Sequence, residues 1–184
     1  PVLKFILLGI KFDKSSVRFF GRVNTSRKFS IGGFFRYGDE VRYIENPFLG
    51  RGGGGGLFAT VRPVSRFQSQ INLNTSRLLD PRNDDELVFD VKIVRALSTY
   101  QFTERLLLRN IMEYNSFDKK LDANILFTYR LNSGTVLFLG YDDHYQQGDF
   151  IDFGETLAER FLVTNRLQRT NRAFFTKFSY LFRY

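Results

Sequence analysis

The stretch Leu121-Asp122-Ala123-Asn124-Ile125-Leu126-Phe127-Thr128-Tyr129-Arg130-Leu131 decides the fold. Leu121, Ala123, Ile125, Phe127, Tyr129 and Leu131 fall at every second position. Asp122, Asn124, Thr128 and Arg130 fall between them, with Leu126 the one apolar member of that set. Successive side chains of a strand point to opposite faces. A period of two sustained over this length therefore predicts a long strand with one apolar and one polar face.

The period recurs along the chain. In 66–75, Phe67, Ser69, Ile71, Leu73 and Thr75 alternate with Gln68, Gln70, Asn72 and Asn74. At the C-terminus, Phe174, Thr176, Phe178, Tyr180, Phe182 and Tyr184 oppose Ala173, Phe175, Lys177, Ser179, Leu181 and Arg183. Residues 17–24, 28–43, 87–93 and 105–115 alternate less cleanly, and 2–12 is apolar on both sides. Tight links with Pro or Gly chemistry lie at 62–65 and 132–135, and equally short ones at 25–27 and 102–104. Longer polar or Gly-rich links are expected at 13–16, 45–56, 79–86, 116–120 and 146–171. Within the last, 148–154 reads as loop, and 155–169 as a short helix (Leu157, Phe161, Leu162) or a further hairpin. The expectation is an all-β, up-and-down antiparallel meander of about ten strands. Its final strand should cover 172–184.

Composition sets the limits. The 184 residues suit one domain, 1–184. There is no Cys and no Trp, so disulfides, thiolate metal sites and Cys nucleophiles are excluded, and the single His144 argues against a Ser-His-Asp triad. Phe (22) and Tyr (9) are abundant, as alternating strands require. Lys and Arg (27) exceed Asp and Glu (19), for a net charge of +8. Pro1-Val2-Leu3-Lys4-Phe5 reads as mid-strand without a signal peptide, so an N-terminal part is expected to be missing.

Alternation alone fits a soluble barrel or a membrane barrel. Runs of ten or more residues favour the membrane, where a strand needs about 9–11 residues to span. In that arrangement Phe127, Tyr129, Phe178, Tyr180, Phe182 and Tyr184 face lipid. The charged set Arg18, Arg22, Arg36, Asp90, Lys92, Arg109, Glu113, Asp122, Arg130 and Lys177 faces the lumen.

Two resemblances sharpen this. Lys177, Ser179, Tyr180, Phe182 and Tyr184 resemble the terminal signal by which barrel-assembly machinery recognises outer-membrane proteins. The segments 105–115, 126–141 and 177–183 resemble the C-terminal end of an uncharacterised family of bacterial outer-membrane barrels. Members of that family typically carry an upstream domain similar to carbohydrate-binding module family nine. The resemblance covers about 105–184; 57–78 fits more loosely, and 52–56 and 146–171 do not match. It implies an outer-membrane location, a lipid bilayer and the assembly machinery as partners, and carbohydrate only through the absent upstream domain.

Other chemistry is thin. The glycines 52–56 lack the Lys-Ser/Thr of a phosphate loop and read as a flexible surface loop. In Asp142-Asp143-His144 only Asp142 and His144 share a face, too few for a metal. Asp84-Asp85-Glu86 lacks calcium-loop spacing. Asp90, Glu113 and Asp122, interleaved with Arg and Lys, read as ion-pair ladders. No nucleic-acid patch, cofactor site or catalytic pair is found, so no enzyme is expected. The leading expectation is an outer-membrane barrel acting as anchor, pore or transporter. The alternative is a soluble or secreted barrel that binds an apolar or anionic ligand.

Overall fold

The computed structural model describes residues 2–7, 10–44, 46–151 and 160–182. These form ten strands: β1 (Val2–Leu7), β2 (Ile10–Asn24), β3 (Phe29–Arg42), β4 (Phe48–Val61), β5 (Phe67–Asp80), β6 (Glu86–Gln101), β7 (Leu106–Asn115), β8 (Lys120–Asn132), β9 (Thr135–Ile151) and β10 (Arg160–Tyr180). Neighbours in the sheet follow chain order, and each described ladder is antiparallel. The protein is an up-and-down all-β meander, with no helix among the described residues. From β2 onward the strands run from 10 residues in β7 to 21 in β10, well beyond the ~5–6 usual in globular sheets.

Several expected links are strand instead. Residues 13–16 lie inside β2, because their polar groups find partners on β3. Lys14 Nζ sits 3.0 Å from Glu40 Oε1, and the Ser15 amide donates to Asp39 Oδ2 at 2.9 Å. The glycine run 52–56 is not a loop but the middle of β4. A Cβ added at Gly52, Gly53 or Gly54 would lie 2.6, 2.8 and 2.7 Å from the carbonyl oxygens of Arg77, Arg36 and Thr75. Both neighbouring strands thus approach too closely for any side chain, the situation in which a strand requires glycine.

At the C-terminal end, the expected 146–171 link shrinks. β9 continues to Ile151 and β10 begins at Arg160, so 160–169 is strand and not helix; the rest of the expected loop and helix, 152–159, lies outside the described residues. Register shifts at Leu162/Leu167 and Arg169/Asn171 absorb the irregular pattern that hid this strand. The final strand also stops at Tyr180, although Leu181 still donates its amide to the Gly134 carbonyl at 2.7 Å.

The chain divides into two compact units, residues 1–61 with 71–94, and residues 62–70 with 95–184. In the first, Val41, Phe48 and Leu78 are the buried apolar side chains among the described residues. Phe48 is capped by the Arg82 guanidinium, 3.8 Å above its ring, and Asp80 holds Arg82 through contacts of 3.0 and 2.8 Å. In the second, the buried side chains among the described residues are polar, Thr135 and Asp143. Most large apolar side chains in both units are exposed or half-exposed.

Candidate functional site: the charged face

Residues directly opposite across a ladder share a face. In the second unit Glu113 lies opposite Asp122, Asp122 opposite His144, and Asn124 opposite Asp142. Arg109 and Arg130 fall on the same side, as does Lys177, which pairs with Phe138, itself opposite Thr128. Arg109, Glu113, Asp122, Arg130 and Lys177 therefore share one face.

Glu113 and Asp122 would repel if left to each other, and each has its own cationic partner. Arg95 Nε is 3.7 Å from Glu113 Oε2, and the His144 ring bridges two carboxylates. Its Nδ1 meets Asp122 Oδ1 at 2.5 Å and its Nε2 meets Asp142 Oδ2 at 3.0 Å. Asn124 Nδ2 reaches the other oxygen of Asp142 at 3.5 Å. The result is a ladder of alternating sign across β6, β7, β8 and β9. A cavity of about 350 Å³ adjoins it, lined by Lys120, Asp122, His144, Gln146, Thr170 and Asn171 among others. Asp142 and His144 converge as their spacing predicts. The third member, Asp122, comes from another strand and could be found only from the pairing. Both ring nitrogens are occupied by carboxylates, and no group of three or more His, Asp or Glu among the described residues is arranged to hold a metal ion.

In the first unit, Arg18 lies opposite Arg36, and Arg22 opposite Gly32, on one face. Arg36 Nη1 meets Glu40 at 2.6 Å, the carboxylate that Lys14 also contacts. Arg22 packs 6.0 Å above the Phe58 ring, which stacks with Phe20. Asp90 and Lys92 do not join this set. The neighbouring Phe89 lies 5.5 Å beneath the Arg42 guanidinium, and Arg42 is on the Arg36 and Glu40 side of β3. Asp90 and Lys92 therefore point to the opposite face, where they lie 3.9 Å apart. The apolar side of 87–93 is thus on the charged face, where the Arg42 guanidinium covers the Phe89 ring.

The opposite face is aromatic in both units. Phe127, Tyr129, Phe178 and Tyr180 share a side in the second unit, with Leu137, Leu139 and Phe174. Phe178 is 63% and Phe174 75% exposed. A polar cluster centred on Asp143 lies among them. Asp143 is 3% exposed and accepts from Tyr141 Oη at 2.5 Å and Tyr145 Oη at 2.7 Å, with Arg172 Nη2 at 3.3 Å. In the C-terminal group, Lys177 and Ser179 face the charged side and Tyr180 the aromatic one. Phe182 follows the strand with its ring 4.5 Å from that of Tyr180, and Tyr184 lies outside the described residues. No protein-family model matches the chain, and no curated protein matches it either.

Proposed function

We propose that this chain is part of a bacterial outer-membrane β-barrel, acting as a membrane anchor or as a pore. The observation that carries the reading is the sorting of side chains. Long strands put most of the exposed Phe, Tyr and Leu on one face and most of the ion-paired charges, with His144, on the other, as a barrel with lipid outside and water inside requires. Exposed apolar surface on this scale marks an interaction surface and not a free one in water. No described helix is long and apolar enough to span a membrane, which bears on helical spans alone. The N-terminal carbohydrate-binding domain of the resembled family would make this part the anchor of a glycan-binding protein. The resemblance of 105–184 supports that assignment.

Heat-modifiable migration on a detergent gel tests the reading. A folded membrane barrel is expected to migrate faster unheated than boiled. Identical migration of protein refolded in detergent would support the soluble alternative. If the barrel is open, Arg18, Arg22, Arg36, Arg109, Arg130 and Lys177 outnumber Glu40, Glu113, Asp122 and Asp142 along its wall. Planar-bilayer current should then be anion-selective. Cation selectivity would refute that wall charge, and absence of current would identify an anchor.

Assembly should depend on the terminal strand. Phe182→Ala with Tyr184→Ala is expected to lower outer-membrane levels of the full-length protein several-fold, read by membrane fractionation. Unchanged levels would remove the assembly role of the terminal aromatics.

A further inference from the structure

The first unit contains a groove of about 520 Å³, within the ~300–1,000 Å³ of small-molecule sites. Its floor is the bare backbone of Gly53 and Gly55 in β4, its apolar walls are Phe35, Tyr37 and Leu79, and Arg51 stands at one end with Arg77 next to it, alongside Gly53. The groove opens on the face opposite Arg36 and Glu40, since Tyr37 pairs with Gly53 and Val17, and Phe35 with Gly55 and Phe19. This is the face that the membrane reading turns to lipid. Two arginines there need an explanation.

Their position supplies one. Arg51 is near the start of β4 and Arg77 near the end of β5, so both lie at the same end of the sheet. Charge on a lipid-facing surface is expensive at the midplane and costs almost nothing near the headgroups. Arg51 is only loosely held, 3.8 Å from Asp85, and both side chains are half-exposed. Arg77 is exposed and in no ion pair among the described residues. Two guanidiniums above an apolar channel match a phosphate headgroup above an acyl chain. Their planar donors suit phosphate oxygens, and the glycine floor lets a chain lie against the sheet.

We propose that this groove binds one anionic phospholipid of the surrounding bilayer. Its phosphate sits between Arg51 and Arg77, and its acyl chain runs over Gly53 and Gly55 toward Phe35. The proposal rests on the membrane reading and adds a specific site to it.

Native mass spectrometry of the chain refolded in detergent with equal phosphatidylglycerol and phosphatidylcholine tests it. The wild type is expected to retain phosphatidylglycerol about tenfold over phosphatidylcholine, since each basic contact favours anionic headgroups. Arg51→Gln with Arg77→Gln should bring that ratio near one. Thr75→Trp, which fills the groove without changing charge, should lower retention of both lipids. Arg62→Gln with Arg66→Gln, removing two exposed arginines elsewhere, should leave the ratio unchanged. No preference in the wild type, or equal loss in the control pair, overturns the proposal. Heat-modifiable migration of the same samples keeps the parent reading separate. Heat-shifted protein without lipid preference defeats the groove alone. Protein without the heat shift defeats the barrel. In that case binding of soluble dihexanoyl phosphatidylglycerol decides the groove, with binding lost in the Arg51/Arg77 variant supporting it and no binding overturning it.

Discussion

Gly54→Val is expected to destabilise the folded chain by about 3 kcal/mol, while Gly21→Val should stabilise it by about 0.5 kcal/mol. At Gly54 a Cβ would stand 2.7 Å from the Thr75 carbonyl oxygen, an atom of the sheet backbone that cannot swing aside. Accommodating it would force β4 and β5 apart and break their ladder. At Gly21 nothing lies within 4 Å of the added atom, so valine meets open space and a backbone conformation it favours. Urea midpoints of the two variants, refolded in detergent, give the comparison. A loss below about 1 kcal/mol at Gly54 would mean that β4 can move away from its neighbours without cost.

The second large effect is expected at Asp143. Replacing it with alanine should cost about 2–3 kcal/mol, because charge-assisted contacts disappear together. Tyr141, Tyr145 and Arg172 all converge on Asp143 Oδ2, and Arg169 lies 4.0 Å from Oδ1. The cluster ties β9 to β10 beside the register shift at Arg169/Asn171, where ladder hydrogen bonds alone hold the strands less well. Arg109→Ala, on the charged face, should change stability by no more than about 0.5 kcal/mol. Denaturant midpoints check both. Equal small effects would show that the Asp143 contacts add nothing beyond solvent.

The meander and its faces were legible wherever a strand carried its own alternation. Residues 121–131 set the parity of β8, and the pairings with β7 and β9 put Arg109, Glu113 and Arg130 where that parity required. What escaped the sequence depends on neighbours. A strand of glycines has no side chains to alternate, so 52–56 reads as a loop, and only the carbonyls of Arg36, Arg77 and Thr75 pressing on it account for the glycines. The orientation of 87–93 followed from Arg42 covering Phe89, a contact between distant residues. Asp122 joined His144 only because β8 pairs with β9 in one register. The irregular end of β10 was hidden by its register shifts, which break the period that sequence reading relies on.

The exposure of Phe19, Phe174 and Phe178 bears on how freely this protein can change. A buried core residue is constrained in volume and shape by everything it touches, and even one methylene is felt. An outward aromatic on a long strand touches few protein atoms, so leucine, isoleucine or tyrosine can replace it at little cost while the side it faces is preserved. A shift of one residue reverses every side chain and is not tolerated. The positions under tight selection are then the few that contact other strands: the glycines of β4, Asp143 with its tyrosines, and the carboxylates around His144. Elsewhere the inherited information is a binary choice of face, which many different sequences can satisfy.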